Sequence, residues 1–102
     1  MKRTLIRYKA KSELADKNAE LIAAVFAELR DAKPAGVRYL ALRLEDDSFV
    51  HVVATETDDG SKALRELPAF QAFQGGIRDR CDEMPLVRLA RIVGNYRMLE
   101  TE

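Results

Sequence analysis

His51 is the only histidine in this chain, and its side chain is the only one whose unperturbed pKa lies close to neutral. A side chain of this kind is the natural candidate for proton transfer, so His51 is the best candidate for a catalytic residue. The competing interpretation is a core histidine whose two ring nitrogens bond to protein groups, as buried polar groups usually do. The sequence leaves both interpretations open.

Cys81 is the only cysteine, so the chain offers no intramolecular disulfide and no paired-cysteine metal or redox site. A nucleophilic pair of Cys81 with His51 would need a third orienting group and an oxyanion hole, and the sequence indicates neither. We therefore expect a buried cysteine that packs as a small apolar side chain. A single cysteine also suits a reducing compartment, which predicts a cytoplasmic protein.

Several arginines lie in segments that the sequence predicts to be strands. One interpretation places them at solvated edges and at the rim of a dimer, where they pair with the abundant carboxylates. The other interpretation makes them a clamp for the carboxylate of a ligand. The residues concerned are Arg7, Arg43, Arg88, Arg91 and Arg97.

The charges balance, with 17 basic and 17 acidic side chains. No long-range field then attracts nucleic acid or an anionic membrane, and no apolar run approaches the roughly 20 residues of a membrane span. The paired carboxylates Asp46-Asp47 and Asp58-Asp59 fall in predicted turns, where they accept bonds from backbone N–H groups. They have no partner cluster that would bind a metal, and no glycine-rich phosphate loop appears. We expect no cofactor and no nucleic-acid or membrane partner.

The segment from Val37 to Thr57 is predicted to be a β-hairpin around an acidic turn at residues 45–48. Apolar side chains alternate with period two on both sides of the turn, as they do in paired strands. A turn with an even number of residues would place Leu42 opposite His51, on the surface that meets the helices. An odd number would shift the register and aim His51 at the opposite surface.

Both faces of this hairpin are apolar, so both require burial. With the even turn, the face that meets the helices carries Leu40, Leu42, Leu44, Phe49, His51 and Val53. The other face carries Val37, Tyr39, Ala41, Val50, Val52 and Ala54.

Alternation and helical periodicity predict two elements before the hairpin. Residues 3–10 alternate as a first strand. A helix capped by Ser12 then extends to about Lys33, because its apolar residues recur along one stripe. Pro34 and Gly36 end this helix.

Three further elements are predicted after the hairpin. Ser61 is expected to cap a short helical piece from Lys62 to Leu67. A second helix runs from Pro68 to Pro85, and its Gly75-Gly76 pair indicates either a close approach to another backbone or a ligand, or a kink or frayed turn, of which the second is favoured. Leu86 to Leu99 forms a long last strand.

The order strand, helix, strand, strand, helix, strand predicts a ferredoxin-like α+β fold in a single domain, residues 1–102. Right-handed crossovers place both helices on one face of a four-stranded antiparallel sheet. The other face would remain an exposed apolar surface, which is uncommon for a soluble monomer. We therefore predict a homodimer that forms through this second face, with Tyr39, Val50, Val52 and Ala54 at the interface.

The chain resembles the dimeric α/β-barrel superfamily over nearly its full length, in particular the small antibiotic-biosynthesis-monooxygenase-like proteins. The resemblance is carried by Arg3–Tyr8, by the Tyr39 strand with its acidic hairpin into Ser48–Val52, and by Leu67–Phe73. It implies a dimer that closes a barrel. Members include oxygenases that use no metal or flavin, haem-degrading oxygenases and proteins with no assigned activity. This chain has no tryptophan, and it lacks the strand-one asparagine and helix-two histidine of the haem-degrading members, so haem breakdown is not expected.

In the oxygenases of that group the ligand lies between the sheet and the helices. Such a pocket would surround His51, with aromatic walls and the Tyr8 hydroxyl. The resemblance implies a cofactor-independent monooxygenase acting on a small apolar or aromatic molecule, or else a non-catalytic ligand-binding or stress-related dimer. The missing tryptophan favours the second function. The predicted ligand-binding residues are Tyr8, Leu42, Phe49, His51, Phe70, Phe73 and Ile77.

Overall fold

An antiparallel sheet of four strands forms the frame of the protein, in the order β2, β3, β1, β4. The computed structural model describes residues 1–99, excluding the side chains at 58–60. The predicted domain reaches residue 102, and its last three residues lie outside the described part. The strands are β1 (Lys2–Ala10), β2 (Val37–Arg43), β3 (Ser48–Thr55) and β4 (Cys81–Ala90).

The helices occupy one face of this sheet. Their ranges are α1 (Ala15–Ala32), α2 (Asp58–Arg65), α3 (Pro68–Gly75) and α4 (Ile77–Arg80), with a short 3-10 turn at Ser12–Leu14. Element order and strand order together confirm the predicted ferredoxin-like α+β fold. No helix in residues 1–99 is both long enough and apolar enough to cross a membrane.

The first helix begins later than predicted. Ser12 caps nothing: its hydroxyl bonds to the Glu13 carboxylate at 3.5 Å, and the 3-10 turn leads directly into α1. At the other end, Lys33 adopts the left-handed conformation with φ 46°, and its N–H bonds to the Leu29 carbonyl. This residue ends the helix before Pro34, as the sequence predicts.

The hairpin register is one residue away from the predicted one. The Leu44 N–H bonds to the Ser48 carbonyl at 2.7 Å, so only three residues, 45–47, connect the strands. Asp47 takes a positive φ of 66°, which gives the three-residue turn with a left-handed last residue. Leu42 therefore pairs with Val50, and Ala41 pairs with His51.

This odd turn changes the face of β2 but leaves His51 on the side of the helices, where it stacks on Phe73, so the expectation that an odd turn would aim His51 at the opposite surface is wrong. His51 is fixed by the pairing of β3 with β1, where it lies opposite Ile6. Tyr39 consequently faces the helices together with His51, so its predicted place on the dimer face is wrong. Leu40 and Leu42 instead lie on the uncovered face, each 48% exposed.

We call this uncovered side of the sheet the open face. Antiparallel partners share a face, so the register defines its members. Leu5 pairs with Val52 and with Arg88, and Arg7 pairs with Leu86. The apolar side chains that these pairs place on the open face are Leu5, Leu40, Leu42, Val50, Val52, Ala54, Leu86 and Ala90.

The second half of the chain breaks the predicted long helix into pieces. The helical piece placed at Lys62–Leu67 starts earlier, at Asp58, without a side-chain cap. Pro68 occupies the first turn of α3 as expected, and the chain turns at Gly76 before the single turn of α4. Cys81 is already the first residue of β4, so the predicted extension of helix to Pro85 is wrong.

Pro85 lies inside β4, at an irregular part of its pairing with β1. The register shifts between the pairs Arg7–Leu86 and Lys9–Glu83. A proline has no N–H to donate, and a bulge on an edge strand tolerates it. The strand ends at Ala90, because its partner Arg3 lies near the start of β1; the predicted continuation to Leu99 is wrong.

Candidate functional site

His51 lies on β3 among aromatic rings and is almost completely buried, with 2% of its surface exposed. Its Nε2 is 2.8 Å from the Tyr8 hydroxyl of β1, and its Nδ1 is 2.7 Å from the Tyr39 hydroxyl of β2. The Phe73 ring of α3 stacks on the imidazole, with centroids 5.4 Å apart. Both ring nitrogens are therefore engaged by protein groups.

The hydrogen bonds continue from Tyr8 to the helices. Asn18 of α1 is fully buried and donates from Nδ2 to the Tyr8 hydroxyl at 2.8 Å. Its Oδ1 accepts from Nε of Arg80 at 3.0 Å. Because a guanidinium can only donate, this bond fixes which end of the Asn18 amide faces Tyr8.

We call the five residues Arg80, Asn18, Tyr8, His51 and Tyr39 the polar relay. Tyr8 is 2% exposed and accepts from Asn18, so its own O–H group is satisfied in the arrangement in which it donates to Nε2 of His51. The His51 proton then lies on Nδ1 and is donated to the Tyr39 oxygen. Within residues 1–99 the Tyr39 O–H group has no acceptor of its own.

Burial shifts the proton affinities of the relay toward the uncharged forms. It lowers the pKa of His51 to about 4 and raises the pKa of Tyr8 to about 12. Burial also raises the pKa of Tyr39, with a smaller contribution from the neighbouring Tyr8. At neutral pH the relay is an imidazole between two phenols, and His51 is a weak base.

Arg80 brings a cationic group into this otherwise neutral cluster. It is 7% exposed, its Nη2 donates to the Phe73 carbonyl at 2.5 Å, and its guanidinium lies 5.4 Å from the Phe73 ring centroid. No carboxylate in the described part of the chain forms an ion pair with it. Burial consequently lowers its pKa. Backbone and amide oxygens, together with the ring, stabilise this charge in place of a carboxylate.

The structure brings together four of the predicted ligand-binding residues and separates the others. Tyr8, Phe49, His51 and Phe73 form one aromatic cluster, in which Tyr8 and Phe49 stack at 5.5 Å. Phe70 packs on Phe73 at the edge of this cluster, and Ile77 is half-buried against the core. Leu42 lies on the open face, because the odd hairpin turn reversed its orientation.

The sequence did not reveal three members of the polar relay as site residues. Asn18 is a polar residue in the middle of a helix, and Arg80 was expected inside a longer helix. Tyr39 was assigned to the wrong face. Asp47 in the turn could have indicated the correct face for Tyr39. Aspartate adopts the left-handed conformation more readily than most residues, and this conformation gives the three-residue turn.

The other chemically active residues are not members of the relay, although Cys81 directly follows Arg80 in the chain. Cys81 is buried and unpaired, as expected, and burial raises the pKa of its thiol. Arg43 bonds to Asp47 at 2.8 Å and to Asp16 at 3.0 Å, so this strand arginine forms the expected surface ion pairs. Arg97 lies beyond β4, with its guanidinium 5.1 Å from the ring centroid of Tyr96.

A cleft of about 200 Å³ lies between the sheet and helices α2 and α3. We call it the sheet–helix cleft. It lies beside the relay, because its lining residue Ile6 pairs with His51, while no relay residue lines it. Its apolar wall consists of Ile6, Val53, Leu64 and Phe70, and its polar residues are Lys2, Thr4, Thr55, Ser61, Arg65 and Gln74.

Solved structures with this fold are found among proteins named for antibiotic biosynthesis. A candidate antibiotic biosynthesis monooxygenase from Bacteroides thetaiotaomicron superposes with a TM-score of 0.80 at 13% identity, over 99% of this chain and 95% of that one. Another candidate monooxygenase, from Nitrosomonas europaea, gives a TM-score of 0.75 at 17% identity, over 92% of this chain and 100% of that one. No family model and no curated sequence matches. These similarities establish the fold, which is the antibiotic-biosynthesis-monooxygenase type of ferredoxin-like fold.

Proposed function

We propose that this protein binds a small, mainly apolar molecule in the sheet–helix cleft and that it does so as a homodimer. The observation that carries the proposal is the cleft itself. Apolar side chains form its wall, and hydroxyl, amide and cationic groups lie around them, which is the usual composition of a small-molecule site. A volume of about 200 Å³ suits a small ligand, such as one with a single aromatic ring.

The state of His51 favours ligand binding over histidine catalysis. A general base needs a free lone pair within reach of the substrate proton. Both His51 nitrogens are bonded to tyrosines, and burial lowers the pKa of His51 to about 4. The His51 ring also does not line the cleft.

Cofactor-independent oxygenation is the second candidate function. Two observations favour it: the names of the structural neighbours, and a hydrogen-bonded relay directly beside the cleft. In this function the relay would accept a substrate proton through rearrangement of its hydrogen bonds. Oxygen uptake with a bound ligand, in metal-free and flavin-free buffer, distinguishes this function from binding alone.

The homodimer is expected to form through the open face. Leu40, Leu42 and Leu86 each expose about half of their surface there, and contiguous apolar surface of this kind marks association sites. Arg7 and Arg88 lie on the same face and can pair with acidic residues at the rim. Buried, unpaired Cys81 is compatible with a cytoplasmic location, which we also propose.

Replacing Val52 by aspartate should split the dimer, because Val52 lies between Leu5 and Leu40 in the middle of the open face. An unpaired carboxylate at that position would lose its water on association, at a cost of several kcal/mol. Sedimentation equilibrium is expected to give a dimer for the wild type and a monomer for Val52→Asp. The matched control is Val93→Asp, at a site that is 93% exposed and outside the sheet, and it should remain dimeric. A monomeric wild type would contradict the proposal.

Replacing Ser61 by phenylalanine should block the sheet–helix cleft, since Ser61 lines it from α2. A thermal-shift screen of small aromatic and aliphatic compounds is expected to find ligands that raise the melting temperature of the wild type. Ser61→Phe should abolish those shifts. Lys62→Phe adds the same side chain at an exposed neighbour that does not line the cleft, and it should keep them. Equal shifts in the two variants would refute binding in the cleft.

A further inference from the structure

A second cleft, of about 210 Å³, lies between the C-terminal part of α1 and strand β2. We call it the α1–β2 cleft. It shares no residue with the sheet–helix cleft. Its lining residues are Phe26, Leu29, Arg30, Lys33, Pro34, Val37 and Tyr39.

The charge of this lining is entirely positive. Arg30 and Lys33 are exposed, and no acidic residue lines the cleft. Neither residue forms an ion pair with a carboxylate of the described part of the chain. The negative end of the α1 dipole stabilises cations near the helix C-terminus. It does not replace a carboxylate, whose two oxygens can both accept from one guanidinium. The α1–β2 cleft is therefore complementary to an anion.

The remaining lining is apolar and partly aromatic. Phe26 packs edge-on against Tyr39, with ring centroids 5.0 Å apart, and Leu29, Pro34 and Val37 complete the wall. An inorganic anion would leave this apolar surface without a partner. A molecule with an apolar body and one anionic group uses both parts of the lining.

Tyr39 connects this cleft with the polar relay. It is the only relay residue that lines either cleft. With the His51 proton on Nδ1, the Tyr39 oxygen accepts from His51, and its own O–H group is left to donate elsewhere. A carboxylate is a strong acceptor for such a donor.

We propose that the α1–β2 cleft is a binding site for a small organic carboxylate. The apolar body of the ligand packs on Phe26, Leu29 and Val37, and its carboxylate interacts with Arg30 and Lys33. The Tyr39 hydroxyl donates to one carboxylate oxygen. Through Tyr39, occupancy of this cleft is coupled to the hydrogen bond at Nδ1 of His51.

Titration with benzoate tests the site, with neutral benzamide as the comparison ligand. In ¹⁵N-labelled protein, benzoate is expected to shift the amide signals of residues 26–39 together with the ring ¹⁵N signals of His51. Benzamide has the same ring without the charge, and it should bind at least about tenfold more weakly. The shift at His51 distinguishes this site from adsorption to the exposed cations.

Three variants locate the binding energy. Arg30→Gln and Tyr39→Phe should each weaken benzoate binding by roughly fivefold or more. Arg38→Gln removes the same charge from a β2 position that does not line the cleft, and it should bind as the wild type does. If Tyr39→Phe fails to fold, Arg30→Gln decides alone. Equal affinity for benzamide, unchanged binding by Arg30→Gln, or no benzoate binding up to its solubility limit would overturn the proposal.

Discussion

Replacing Asn18 by alanine should lower the free energy of unfolding by about 3 kcal/mol, as measured by urea denaturation. Asn18 is fully buried and joins Tyr8 to Arg80 with bonds of 2.8 and 3.0 Å. Alanine is an excellent helix former, so the loss does not come from the helix itself. It comes from a guanidinium and a phenol that remain buried after losing their partner.

Replacing Arg80 by methionine provides the comparison. This change removes the buried charge itself and fills much of the same volume, but it leaves Asn18 Oδ1 without its donor, so it should cost about 1 to 2 kcal/mol. In the double variant, Asn18→Ala with Arg80→Met, the buried charge is absent, so the alanine no longer leaves a guanidinium without its partner. The two effects should therefore be clearly less than additive, which is the mark of directly interacting residues. If Asn18→Ala costs no more than Arg80→Met, the amide does not hold the buried charge.

The fold could be predicted from the sequence because it depends on local patterns of apolar residues that repeat along each strand and helix. The alternation of Tyr8 and Ile6 in β1, and of Phe49 and His51 in β3, places the same residues inward whatever the turn does. Two such strands and the α1 stripe are enough to define the sheet and its covered face. The order of elements then leaves few topologies.

The candidate site depended on single residues, and the sequence predicted it only in part. The left-handed Asp47 turned over β2, which moved Tyr39 to His51 and Leu42 away from it. Arginine is rarely buried without a carboxylate, so the pattern gave no reason to place Arg80 in the core. A local signal fixes the period of a strand, whereas its register depends on one turn residue.

Acidification should destabilise the protein well above the pH at which carboxylates become protonated. Burial lowers the pKa of His51 to about 4 in the folded state, whereas the unfolded value is about 6.5. Between these two values the unfolded chain binds more protons than the folded chain, so unfolding is favoured as the pH falls. The free energy of unfolding should fall by about 3 kcal/mol between pH 7.5 and pH 4 because of His51, and it should not change for this reason above pH 7.5.

Two comparisons assign this pH dependence to the histidine. His51→Gln has no titrating group at position 51, so its free energy of unfolding should stay nearly constant between pH 7 and pH 5 while that of the wild type falls. Asp46 acts in a different range, because the bond from the Ser48 N–H lowers its carboxyl pKa below the ordinary 3.8. The stability that Asp46 contributes is present above the unfolded pKa and is lost only at lower pH. Urea denaturation at half-unit pH steps measures both ranges. A wild-type curve as flat as that of His51→Gln between pH 7 and pH 5 would mean that His51 takes up its proton without leaving the relay.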